Sequence, residues 1–217
     1  MTTVVLWRHG RTEYNATRRL QGQIDIPLDE VGRWQGTTAA AALFARHTPA
    51  RIVSSDLARA AQTAQYLADL AGLDVELDAR LRERAFGDWE GLTAEEIHAG
   101  FPDEAKVWSG GGGVNRPGAE NPAQVGERVA AAVRELAEGL EGTLVLVTHG
   151  AAIALGLSAL LGQDPAAWRG IAGIDNAHWS QLTPTRDGVT PGWRLAAHNV
   201  GPSVSTADWF AGRGHPD

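Results

Sequence analysis

Cysteine is absent from the 217-residue chain. That one absence removes disulfides, thiolate nucleophiles and cysteine-based zinc sites together. Long apolar runs are missing too: none approaches the roughly 20 residues that a membrane-spanning helix needs, so no membrane partner is expected. The N-terminus has no basic segment ahead of an apolar stretch, which leads us to expect no signal peptide and a cytoplasmic location. Positive charge is in deficit, with 19 Lys+Arg against 26 Asp+Glu and a formal net charge of −7. This argues against general binding to nucleic acid or to an anionic membrane surface. It leaves room for an anionic small substrate, because a local arginine cluster sets the sign inside one pocket. There is no internal repeat and no low-complexity linker. The length therefore suits a single domain spanning 1–217 with an elaborated insertion, at the usual scale of roughly 100–200 residues per domain.

What is present alternates between strand and helix signals. An apolar run over about Thr3–Trp7 predicts a first strand, ending abruptly in Arg8-His9-Gly10. Asp29 is placed to cap a helix over about Glu30–Ala45. Arg51–Ser55 predicts a second strand, after which Asp56 is placed to cap a helix to about Ala71, stopped by Gly72. Asp74–Leu77 predicts a third strand, and Thr93 with Glu96 spells a capping box for a helix to about Ala99. Residues 102–108 predict a further helical turn. The run Gly110-Gly111-Gly112-Gly113-Val114-Asn115-Arg116-Pro117-Gly118 predicts a mobile loop or lid. It is no dinucleotide fingerprint, because no strand precedes it. Helix is expected again over about Pro122–Leu140 and Ala151–Leu161, and Thr143–Thr148 is the clearest buried strand. Two late strands, Trp179–Leu182 and Gly192–His198, read as an antiparallel pair around Asp187-Gly188, and the stretch after Gly201 reads as irregular. Such alternation predicts an α/β fold of three layers on a largely parallel sheet.

Two buried strands end alike, in Trp7-Arg8-His9-Gly10 and Thr148-His149-Gly150. In a parallel sheet both ends fall on one edge, where ligands of α/β proteins bind. Arg59, early in a helix that follows another strand, belongs to the same edge. Two arginines with two histidines suit a phosphoryl group. They suit a metal poorly, and none of the seven histidines shows the helix spacing with carboxylates that metal pairs use. No metal or other cofactor is expected.

These residues also carry a family likeness. Arg8-His9-Gly10-Arg11-Thr12-Glu13-Tyr14-Asn15 resembles the R-H-G-x-T-x-x-N signature of the histidine phosphatase superfamily, whose fold is phosphoglycerate mutase-like. Ser54-Ser55-Asp56-Leu57-Ala58-Arg59-Ala60-Ala61-Gln62-Thr63-Ala64, then Leu81-Arg82-Glu83 with Gly87-Asp88-Trp89-Glu90-Gly91, then Thr148-His149-Gly150 follow in the family's order. Gln21-Gly22 and Asp25-Ile26-Pro27-Leu28 fit as well, and the likeness covers about residues 3–200. It implies His9 as the nucleophile that becomes phosphohistidine and Arg8, Arg59 and His149 as the rest of the phosphate pocket. Asn15 is implied as a further donor and Glu83 as the proton donor. Gln21, Gly22 and Gly150 fall beside substrate, and Gly150 stands where another branch of the family has Asp.

The chemistry supports those roles. Preorganised cations stabilise the charge on a transferring phosphoryl group. His9 must be neutral to attack, which neighbouring arginine favours, and a partner for its second nitrogen would fix the tautomer. An ordinary glutamate is mostly ionised at neutral pH, so Glu83 needs partial burial or phosphate charge nearby to carry a proton. Phe86 and Trp89 are candidates for an apolar wall, with Trp108 also near the pocket. His178 is read as a packing residue, although its place two residues after Asn176 would allow contact with substrate.

Phosphoglycerate mutases with this pocket carry a longer, more basic insertion. Between Thr93 and Glu120 the cations here are Lys106 and Arg116, which favours a phosphatase with its substrate loop at about 85–120. Ala167-Trp168, Asn176-Ala177-His178-Trp179-Ser180-Gln181-Leu182 and Trp193-Arg194-Leu195 look like the actinobacterial glucosyl-3-phosphoglycerate phosphatases. Two departures are Ala119-Glu120-Asn121, where that group often reads Gly-Glu-Ser, and His178 in place of Ser. The implied activity is metal-independent hydrolysis of a small phosphorylated sugar acid, and pairing into a homodimer is common in the family. The alternatives are a cofactor-dependent phosphoglycerate mutase and a non-catalytic phospho-ligand binding protein. The latter would be expected to have lost Arg8, His9 or Glu83, and all three are present.

Overall fold

A computed structural model describes residues 2–110 and 116–212. The glycine run falls largely on 111–115, outside the described residues. Six strands form one sheet: β1 (Thr3–Arg8), β2 (Pro49–Ser54), β3 (Val75–Leu77), β4 (Thr143–Thr148), β5 (Trp179–Pro184) and β6 (Trp193–Val200). Their spatial order is β3-β2-β4-β1-β5-β6. The first four in that order run parallel, and β5 and β6 add an antiparallel edge. β1 thus lies between β4 and β5, with Arg8 opposite Thr148.

Strand alternation decides what each face buries. Val4 and Leu6 of β1, with Leu144 and Leu146 of β4, pack against α6 (Pro122–Ala137) and α7 (Gly150–Leu160). Val5 and Trp7, with Val145 and Val147, pack on the other face against α2 (Glu30–Arg46) and α3 (Ala58–Ala71). All eight of these strand side chains are fully buried, each worth about 1.5–3 kcal/mol relative to exposure. A smaller cluster of Phe86, Trp89, Ile97 and Ala105 holds α4 (Ala94–Gly100) and α5 (Pro102–Ser109) together.

Asp29 caps α2 as expected, accepting from Gly32 N, and Thr93 with Glu96 forms the expected capping box of α4. The departure at Asn121 keeps its hydrogen bond: Asn121 caps α6 in a reciprocal box with Gln124. Two expectations need correction. Asp56 does not cap α3, because its carboxylate is held by Arg82 at 2.7 and 2.5 Å. The exposed N–H of Ala58 goes instead to Asp25 Oδ1 at 2.7 Å, from a loop distant in sequence. The stretch after Gly201 is not wholly irregular. Ser205 caps a helix α8 (Thr206–Ala211), and Trp209 from it is buried against α2.

Candidate active site

The parallel strand ends set the site. His9 follows β1 and donates its backbone N–H to Thr148 O at the end of β4 (3.0 Å). The ring is almost wholly buried, and its Nδ1 lies 2.6 Å from the carbonyl oxygen of Gly10. A carbonyl only accepts, so Nδ1 carries the hydrogen and Nε2 keeps the lone pair. This is the tautomer-fixing partner that sequence could not name. Burial holds the His9 ring well below the ordinary histidine range, and Arg59 and Arg8 push the same way. Gly10 is needed for closeness, because a Cβ there would collide with the backbone carbonyl of Gly32 at the start of α2.

Arg59 comes from the first turn of α3 and is fully buried. Its Nη1 and Nη2 donate to the carbonyls of Ile24 (2.8 Å) and Gly22 (2.7 Å), and its Nε to His149 Nδ1 (3.2 Å). Burial lowers its pKa to about 10, which leaves it cationic at neutral pH. Arg8 donates from Nη1 to Ile174 O at 2.5 Å, while its buried Nε has no acceptor among the described residues. Among the described residues no carboxylate forms an ion pair with either arginine, so the pair offers net positive charge to an anion.

Arg8, His9, Asn15, Gln21, Gly22, Arg59, Glu83 and Gly150 line one cavity of about 270 Å³. Asn15, on the short helix α1 (Glu13–Ala16), has its oxygen occupied by Thr12 N, Thr12 Oγ1 and Asn176 Nδ2, which leaves its amide group as the donor. Glu83 is fixed by the start of α7: Oε2 accepts from Ala151 N (3.1 Å) and Oε1 from Ala152 N (3.0 Å) and Arg84 N (2.8 Å). Behind it, Gln23 Nε2 and Arg128 Nη2 donate to the Glu83 carbonyl.

His149 lies behind the cavity wall rather than on it. Its ring centroid is 5.0 Å from that of His9, and it is fully buried. Nδ1 accepts from Arg59, so Nε2 donates to Ser55 Oγ at 2.9 Å. Burial, then Arg59, holds this ring well below the ordinary range too. Phe86 lines the cavity as expected, whereas Trp89 sits in the packed cluster beneath it, edge-on to Trp108. Trp108 lines a neighbouring cavity. His178 is outside the lining and stands edge-on to Trp209, the packing role expected of it.

Sequence reasoning missed Asn176, whose Nδ2 spans His9 O, Gly10 O and Asn15 Oδ1. It also missed Arg128, which gathers the carbonyls of Arg80, Arg82 and Glu83. Neither has a local pattern; both act through contacts distant in sequence. Among the described residues no group of three or more His, Cys, Asp or Glu could hold a metal ion.

A doubly covered sheet with buried arginine and histidine at the carboxyl ends of β1 and β4 defines an α/β protein built to handle phosphate. The chain belongs to the histidine phosphatase superfamily (branch 1), whose model matches residues 4–199. Among its relatives is a glucosyl-3-phosphoglycerate phosphatase of Mycolicibacterium vanbaalenii, 40% identical over 217 residues that cover 93% of this chain and 96% of that one. A probable phosphoglycerate mutase of Yersinia enterocolitica is 39% identical, covering 78% of this chain and 79% of its own. Among solved structures, a mycobacterial glucosyl-3-phosphoglycerate phosphatase in complex with VO3 superposes with a TM-score of 0.82. It is 40% identical and covers 92% of this chain and 99% of its own.

Proposed function

We propose that this chain hydrolyses a phosphorylated sugar acid of the glucosyl-3-phosphoglycerate type through a phosphohistidine formed on His9. The observation that carries the reading is a buried, neutral His9 with its Nδ1–H committed to Gly10 O, set between Arg8 and Arg59 and sharing a cavity with Glu83. In the first step Nε2 of His9 attacks phosphorus, the bond to the alcohol oxygen breaks, and Glu83 donates the proton that the departing alkoxide takes. In the second, Glu83 accepts a proton from water as that water attacks the phosphohistidine, which frees inorganic phosphate and the imidazole. Arg8, Arg59 and the Asn15 amide stabilise the charge on the phosphoryl oxygens. His149 positions Arg59 from behind, and Gln21, Gly22 and Gly150 shape the wall around the phosphate.

The 40% identity to named glucosyl-3-phosphoglycerate phosphatases over nearly the whole chain supports the choice of substrate. With this reading go one histidine phosphatase domain over 1–217 with its substrate loop at about 85–120, a cytoplasmic location, no nucleic-acid partner, and pairing into a homodimer. The test is a phosphoester panel with glucosyl-3-phosphoglycerate, 3-phosphoglycerate and p-nitrophenyl phosphate on wild type and His9→Ala. Wild type should favour the glucosyl ester, and His9→Ala should be inactive on all three. Retained activity in the variant would remove His9 from the mechanism. The mutase relative supplies a second reading, which predicts isomerisation of phosphoglycerate only when 2,3-bisphosphoglycerate is added.

A further inference from the structure

Next to the phosphate cavity is a second one of about 260 Å³, and the two share Phe86 and Ala151 in their walls. Arg84 and Arg169 supply charge to this outer cavity, and Trp108 and Leu155 supply apolar surface. No carboxylate among the described residues lines it. Arg84 is only 8% exposed and lies with its guanidinium carbon 5.1 Å from the centre of the Phe86 ring. Its Nε donates to Glu120 O at 2.8 Å, while its two terminal nitrogens meet no acceptor among the described residues. The nearby carboxylates are committed elsewhere: Glu83 accepts from three backbone N–H groups, and Glu120 holds Arg128 and Ala85 N. Arg80, Arg82, Arg116 and Arg128 each have a carboxylate partner; among the described residues Arg84 has no ion-pair partner. A buried cation without a paired anion is costly to fold, and such groups in a cleft mark ligand sites. Burial lowers the Arg84 pKa below the ordinary arginine range, against the pull of Glu83 and Glu120.

Direction follows from the proposed reaction, on which this inference rests. Glu83 must reach the leaving oxygen, so the alcohol portion of the ester lies on the Glu83 side of the phosphoryl group. Ala151, whose N–H holds Glu83 Oε2, belongs to both cavities. The alcohol portion therefore extends past Phe86 and Ala151 towards Arg84. We propose that Arg84 binds a carboxylate on the alcohol portion of the substrate, which makes it a specificity residue for phosphorylated hydroxy acids over neutral polyol phosphates. Its planar fork suits a carboxylate in two-point contact.

The test compares 3-phosphoglycerate with glycerol 3-phosphate, which differ only in carboxylate against hydroxymethyl. Wild type should prefer 3-phosphoglycerate in kcat/KM by about tenfold or more, as expected where a site is built for a polar group. Arg84→Gln should bring that ratio close to one, and Arg84→Lys should keep part of it. A ratio near one in the wild type would overturn the proposal, and that measurement needs no variant to fold. An equal loss on both esters in Arg84→Gln would also overturn it, by showing that Arg84 only props the Glu83 segment. If the ratio behaves as expected but glucosyl-3-phosphoglycerate is not hydrolysed, the choice of glucosyl substrate fails and the carboxylate site stands. Absence of hydrolysis of every ester in the wild type would overturn both.

Discussion

Protonating His9 places a charge in a buried pocket that already holds Arg8 and Arg59, and protonating His149 does the same a ring's width behind it. Both rings have native pKa values below the unfolded value, so below about pH 6.5 the unfolded chain binds protons that the native state refuses. Their contribution to stability is therefore complete above pH 6.5 and is lost as pH falls below it, towards the depressed native values. Each ring contributes a slope of up to about 1.4 kcal/mol per pH unit in that window. Urea unfolding at pH 7.5 and 5.5 should show the loss, and His149→Gln should show a shallower slope. A slope unchanged by the substitution would mean that His149 titrates normally. At Glu83 the prediction concerns leaving groups. Glu83→Gln keeps the side-chain shape and an acceptor for the α7 N–H groups but has no acidic proton. It should slow hydrolysis of alkyl esters by about 10²–10⁴ and slow p-nitrophenyl phosphate, whose leaving group needs no proton, far less. Equal losses on both would exclude the proton-donor role.

At the scale of elements, α3 matters because its first turn delivers Arg59, yet no side chain of its own N-cap residue closes that turn. The closing acceptor is Asp25, across the loop whose Gly22 and Ile24 carbonyls also hold Arg59. Asp25→Ala should cost about 1 kcal/mol as a lost cap, read as a lowered midpoint of thermal unfolding. It should also raise KM for phosphoesters, because the same loop orients the guanidinium; an unchanged KM would uncouple the cap from the site. Asp25 also shows where sequence reading stops. Asp56 sits immediately before the helix and looks like its cap, but Arg82 competes for it from another segment and wins with two bonds. Elements with strong local signals, such as α2 behind Asp29 and α4 behind Thr93 with Glu96, are where the sequence puts them. α8 escaped because its helix is short and its support is distant: Trp209 is buried against α2 and donates to Asn176 O. Likewise, the site residues carried by strand ends were legible, while Asn176 and Arg128, which orient them from afar, were not.

Across the whole molecule, a net charge of −7 coexists with a pocket whose first contacts for an anion are Arg8 and Arg59. The sign of the site is thus set by placement, since the acidic excess lies elsewhere. In the proposed mechanism the fixed arginines supply the electrostatics and no step requires a divalent ion, and the described residues offer no cluster of three or more metal-ligating side chains. Turnover should therefore be unaffected by millimolar EDTA after dialysis; strong inhibition, reversed by added metal, would point to a site formed with substrate. The position of β1 has its own consequence for how the enzyme comes into being. β1, which leads into His9, precedes both of its neighbours in the sheet, since β4 and β5 follow only after β2 and β3. A nascent chain stalled before Pro184 carries the histidine without both walls that seat it. The proposed nucleophile is thus withheld from its chemistry until β4 and β5 have both been made.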